Sequence, residues 1–172
     1  MTMTTTPAVA RAKFFIHRTY AASIDEAWAL WTTAPGIESW WGPEGFEVTV
    51  VSIDLRPGGD LVYRMTATAP EQVAFMQRAG MPLTTECKVT YTDVLPLQRL
   101  AYKTLADFIP GVVPYEVATV VEFEETRDGV KLTITFDAMH DDVWTARARA
   151  GNESQMRKLD TLLAARGNGE RA

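Results

Sequence analysis

Two runs of alternating apolar and polar residues, Tyr115–Thr126 and residues 130–139, flank the pair Asp128-Gly129. No other feature restricts the fold of this chain as strongly. Alternation with a period of two marks a strand with one buried face. An Asp-Gly pair between two such runs signals a hairpin, because both central residues of the tight turn take positive φ. Pairing Arg127 with Val130 sets Val121 opposite Phe136, Phe123 opposite Ile134 and Glu125 opposite Leu132, while Glu122 faces Thr135 and Glu124 faces Thr133. Apolar residues then share one face, with Glu125 the misfit. A slip of one residue would turn every side chain to the wrong side.

Strand patterns recur upstream. Residues 14–20, 46–55, 61–68, 84–94 and 99–105 are rich in β-branched and aromatic types, as strands are. Arg56-Pro57-Gly58-Gly59 reads as a turn, and residues 106–114, with two prolines and a glycine, as a loop. Ser23 and Glu26 have capping-box spacing, which predicts a helix over Ile24–Thr32. Pro35 opens a second short helix, ended by Gly42-Pro43. Between the third and fourth strands, residues 69–80 break the β pattern and favour a short inserted helix after Pro70. Asp141-Asp142 supplies the cap of a long final helix running to about Ala165 and stopped by Gly167-Asn168-Gly169. Trp144, Ala148, Gln155, Met156, Leu159, Leu162 and Leu163 form its apolar stripe, with Gly151 inside the pattern.

This order predicts an α+β domain: a curved antiparallel sheet of six to seven strands wrapped around a long C-terminal helix, with two short helices after the first strand. One helix cannot fill the concave side of such a sheet, so a hydrophobic cavity is expected between the two. Its walls should include Tyr63, Met65, Cys87, Tyr102, Phe123, Phe136, Trp144 and Met156. The expected domain spans residues 14–166, between a flexible N-terminal tail at 1–13 and a C-terminal tail at 167–172.

Composition excludes several functions. The 172 residues carry a net charge of −5 and no basic run, so no nucleic-acid surface is expected. On the last helix, Arg147, Arg149, Arg157 and Lys158 are offset by Asp141, Asp142, Glu153 and Asp160, the mark of a solvated face. Cys87 is the only cysteine, which rules out an intrachain disulfide. No stretch approaches the ~20 apolar residues of a membrane span, and no signal-peptide pattern opens the chain. The expectation is a cytoplasmic protein.

Two short motifs carry a resemblance. Trp40-Trp41-Gly42-Pro43 follows the first helices, Asp54-Leu55-Arg56-Pro57-Gly58-Gly59 forms a strand turn, and Tyr20-Ala21-Ala22-Ser23-Ile24-Asp25-Glu26-Ala27-Trp28 precedes both. In this order and spacing they resemble the activator of Hsp90 ATPase homolog 1-like (AHSA1) branch of the START-like, or SRPBCC, helix-grip superfamily, over roughly residues 14–165. The resemblance implies the helix-grip fold, a hydrophobic pocket and uses that range over lipid or small-molecule binding, polyketide cyclisation and partner-protein binding. Two departures touch the pocket: Gly151 is followed by Asn152 where bacterial members commonly carry tryptophan, and the segment 69–82 is longer than usual.

The residues that could carry chemistry are few. Trp40 and Trp41 either plug the core and cap the cavity mouth or stack on a flat ligand. His140, with Asp137, Asp141 and Asp142, lacks the spacing of a zinc site, and helix capping by an aspartate is the simpler reading. His140 remains a weak candidate general base. Cys87 lacks a neighbour that would activate it. No nucleophile–base set assembles, and neither a metal nor a cofactor is expected. The leading expectation is therefore non-catalytic binding of a small hydrophobic or aromatic molecule, by a monomer or homodimer. The alternatives are a cyclase or hydratase acting on an aromatic or polyketide-type substrate through pocket tyrosines and His140, and a chaperone-associated adaptor. The adaptor's activity in its known form involves a second, N-terminal module.

Overall fold

The computed structural model describes residues 11–107 and 109–169, with side chains described as far as Arg166. The element order is β1 (Lys13–Tyr20), α1 (Ile24–Thr32), α2 (Ala34–Glu38), β2 (Phe46–Ile53), β3 (Asp60–Ala67), α3 (Pro70–Arg78), β4 (Thr84–Leu95), β5 (Arg99–Ala106), β6 (Tyr115–Thr126), β7 (Gly129–Asp137) and α4 (Asp142–Gly169). The seven strands form one antiparallel sheet in the order β1-β7-β6-β5-β4-β3-β2. Strands β2 to β7 each pair with their neighbours in sequence, whereas β1 crosses to the far edge and pairs with β7. The expected tails lie outside the described residues at 1–10 and 170–172. Between them, β1 begins at Lys13 and α4 continues four residues past its expected end, to Gly169.

The β6–β7 hairpin has the expected faces but a different register. Thr126 pairs with Gly129, Phe123 with Leu132, Val121 with Ile134 and Thr119 with Phe136, a shift of two residues from the expected pairing. The turn is centred on Arg127-Asp128, and neither residue takes positive φ. A two-residue shift keeps every side chain on its face, because the period of a strand is two. Glycine stands at 129 for space rather than for its dihedral freedom: a Cβ there would lie 1.9 Å from the carbonyl oxygen of Tyr20 at the end of β1.

The helices start where their caps dictate. The Ser23 hydroxyl accepts from the Glu26 N–H at 3.1 Å. The Glu26 carboxylate does not complete the capping box but accepts from Arg166 on α4 at 2.9 Å. Thr33 caps α2 through the Gly36 N–H, and α2 stops at Glu38, ahead of Gly42-Pro43. Asp141 caps α4 by accepting the Trp144 N–H at 2.8 Å. The inserted segment forms α3, with Met76 buried and Phe75 exposed.

Helix α4 lies across the concave face and is fastened along both sides. Toward β1, Arg18 donates to Asp160 at 3.1 Å and Glu153 at 2.9 Å, and the Tyr20 hydroxyl donates to Asp160 at 2.6 Å. Toward the α2–β2 loop, Lys158 donates to the carbonyls of Trp41 and Phe46, Arg157 to Glu44, and the Gly42 N–H reaches Gln155. Between these two seams Met156, Leu159 and Leu163 are buried. They meet Trp31, Trp40, Phe123, Leu132 and Ile134 in one continuous core. This packing fills the concave face beneath the C-terminal half of α4.

Candidate functional site

Beneath the N-terminal half of α4 the face is not filled. Phe14 on β1, Tyr63 on β3, Val89 on β4, Tyr102, Thr104 and Ala106 on β5, Val117 and Thr119 on β6, and Phe136 on β7 form the floor. Trp41 closes one side, Ala148, Asn152 and Gln155 of α4 lie over the top, and Asp137 and Met139 stand at the end of β7. The result is a recess of about 220 Å³, open to solvent on one side. Strand parity explains the floor: even-numbered residues of β5 and β7 and odd-numbered residues of β3, β4 and β6 point inward.

Of the ten residues expected to line a cavity, Trp41, Tyr63, Tyr102 and Phe136 meet in this recess. The rest lie elsewhere. Trp40 is buried and donates from its indole to the Leu30 carbonyl at 2.8 Å. Phe123 packs edge-on against Trp28 and Trp31. Met156 belongs to the filled half. Met65 packs beside Gly42, whose φ of +85° only glycine adopts readily. Cys87 sits opposite Tyr63 in the β3–β4 pairing and is half-buried. Trp144 is half-buried near the start of α4, beneath the Arg147 guanidinium.

The weak catalytic candidate is also outside the recess lining. The His140 Nδ1 lies 2.9 Å from the Tyr115 hydroxyl, and its Nε2 lies 3.2 Å from Asp141. Its own N–H donates to the same tyrosine oxygen. These contacts hold the β7–α4 junction together. Among the described residues no cluster of histidine, cysteine, aspartate and glutamate could hold a metal ion.

Burial pushes the Tyr63 and Tyr102 phenols above their ordinary range. Tyr91, next to Tyr102 on the inner face, is pushed up to about 12 by burial, and its hydroxyl has no hydrogen-bond partner. Burial likewise raises the Cys87 thiol, which agrees with an unactivated cysteine. Among the described residues, Asp137 is the one charged residue in the lining. Its carboxylate is engaged by the Lys13 ammonium and by the Ala118 N–H.

Both sequence motifs are structural at their centre. In the first, Trp40 plugs the core, Trp41 faces the recess, and Gly42 and Glu44 carry the loop's bonds to α4. In the second, Arg56 donates to Asp54, and the turn pairs with Tyr91 through the Gly58 N–H and the Gly59 carbonyl, each at 2.8 Å.

With this geometry in hand, the sequence can be set beside known proteins. Residues 21–164 match the family described as activator of Hsp90 ATPase homolog 1-like protein. The chain belongs to the AHSA1 family. A comparison with curated proteins finds no match. Solved structures of similar fold include an AHSA1 protein of Silicibacter pomeroyi, with 23% identity, a TM-score of 0.68 and coverage of 90% of this chain and 99% of that one. A protein of Chromobacterium violaceum has 19% identity and a TM-score of 0.69, covering 88% and 96%. One of Arthrobacter aurescens has 18% identity and a TM-score of 0.69, covering 93% and 90%. At these identities the likeness establishes the AHSA1 fold, and function rests on the site.

Sequence reasoning missed Phe14, Val89, Thr104, Ala106, Val117, Thr119 and Met139 as lining residues. Parity was available to find those on the strands. What it lacked was where along each strand the packing under α4 stops.

Proposed function

We propose that this AHSA1 protein binds a small, flat, hydrophobic or aromatic molecule in the recess without transforming it. The observation that carries this reading is the wall of Phe14, Trp41, Tyr63, Tyr102 and Phe136 around a volume of about 220 Å³. Apolar walls with a few polar groups are the usual composition of a small-molecule site. A dry cavity of roughly 150 Å³ takes benzene, so the larger recess suits an aromatic of one or two rings and would cover only part of a long lipid. The position of His140, outside the lining and bound to Tyr115 and Asp141, favours binding over catalysis.

Ala148 lies over the recess from α4, and Ala148→Trp would fill it. Calorimetric titration of the wild-type protein with a bicyclic aromatic should give saturable binding, and the variant should lose it while unfolding at a similar urea concentration. Equal binding by both proteins, or by neither, would refute the reading.

A further inference from the structure

We infer that the recess selects an uncharged aromatic carrying a hydroxyl group and excludes the corresponding carboxylate. The inference deepens the binding reading above and rests on it.

Apart from Asp137, the polar side chains of the lining are neutral: the hydroxyls of Tyr63, Tyr102, Thr104 and Thr119 and the amides of Asn152 and Gln155. Among the described residues, no lysine or arginine lines the recess. The cations nearby are committed to other partners. Lys13 pairs with Asp137, Lys158 donates to the Trp41 and Phe46 carbonyls, Arg157 bonds Glu44, and the exposed Arg149 lies over the Phe14 ring, 5.0 Å from its centroid. The single charged residue among the described lining, Asp137, is an anion.

A carboxylate entering this site would give up its hydration and meet no cation from the lining, Arg149 lying on the exposed side of Phe14, a transfer that proteins otherwise avoid. A hydroxyl can both donate and accept, and so can exchange its water for the lining hydroxyls or for the amide atoms left over once Gln155 has accepted from Gly42 and Asn152 has donated to Ala148. The walls report the same preference, since burial already disfavours the ionised form of their own phenols.

The test uses 2-naphthol and 2-naphthoate, which share a ring system and differ in charge at pH 7. Each is titrated calorimetrically into the full-length protein and into Ala148→Trp. The expected result is saturable binding of 2-naphthol by the wild type only, with 2-naphthoate bound at least about tenfold more weakly. The ultraviolet absorbance of bound 2-naphthol should also show its ionisation displaced to higher pH. If 2-naphthoate binds within tenfold of 2-naphthol, the selectivity is overturned and the binding reading stands. If neither binds, or if 2-naphthol binds the filled variant equally well, both are overturned.

Discussion

Trp40 and Trp41 are neighbours in sequence with separate tasks. One is sealed in the core with its indole bonded to Leu30, and the other turns its ring to the recess. The sequence leaves their roles open because loop residues have no parity to sort them. Cys87 could be sorted, being on a strand, and its inward position and lack of an activating neighbour were both legible. Because burial raises its thiol pKa, Cys87 should react with iodoacetamide at pH 8 several-fold more slowly than it does in the urea-unfolded chain; equal rates would show an accessible thiolate. Glu44 is a residue whose role only the structure shows. Its exposed carboxylate is held below its ordinary value of 4.5 chiefly by the bond from Arg157, and then by Ser154. A folded-state pKa below the unfolded one means that the contact stabilises fully above 4.5 and loses that contribution as pH falls through the folded value. Glu44→Gln is therefore expected to lower the urea midpoint at pH 7 and to converge on the wild type in acid. A gap that persists unchanged at low pH would assign the effect to something other than charge.

At the level of elements, the strands and their inward faces were readable because period-two alternation survives any even shift in register. That same tolerance hid the true register of the β6–β7 hairpin. Next to the turn, Gly129 also lies close against the Tyr20 carbonyl, an approach from a strand more than a hundred residues away that no local pattern encodes. Gly129 and Gly151 should therefore respond to substitution in opposite directions. Gly129→Ala should destabilise by about 1–3 kcal/mol, since a methyl group must displace backbone. At Gly151, on the exposed side of α4, a Cβ meets nothing within 4 Å. Gly151→Ala should stabilise by about 0.5–1 kcal/mol through helix propensity alone. Urea denaturation of the two variants checks both signs.

For the whole molecule, the sheet, the gripping helix and the family were legible. The extent of the empty space was not. An enclosed cavity was expected, and the fold instead fills half of its concave face and leaves an open recess over the other half. The cause is side-chain volume: Trp31, Trp40, Phe123 and Met156 converge beneath the C-terminal half of α4, a convergence that depends on the tertiary arrangement. A ligand that occupies the recess of the folded chain alone, at 100 times its Kd, adds about 2.7 kcal/mol of stability. For a domain of this size that should raise Tm by roughly 5–10 °C, and a melt in 2-naphthol with no shift would argue against specific occupancy. The placement of β1 also bears on how the molecule assembles. Strands β2 to β7 close short loops in succession, whereas Lys13 on β1 meets Asp137 on β7 across 124 positions. Closing that long loop carries the largest entropic cost, so β1 should join after the rate-limiting barrier. Ile16→Val is then expected to speed unfolding and leave the folding rate nearly unchanged in stopped-flow measurements, with slowed folding as the contrary result. Until β1 takes its place beside β7, the edge of β7 that faces away from β6 stays open, a row of unpaired backbone groups ready to template another strand.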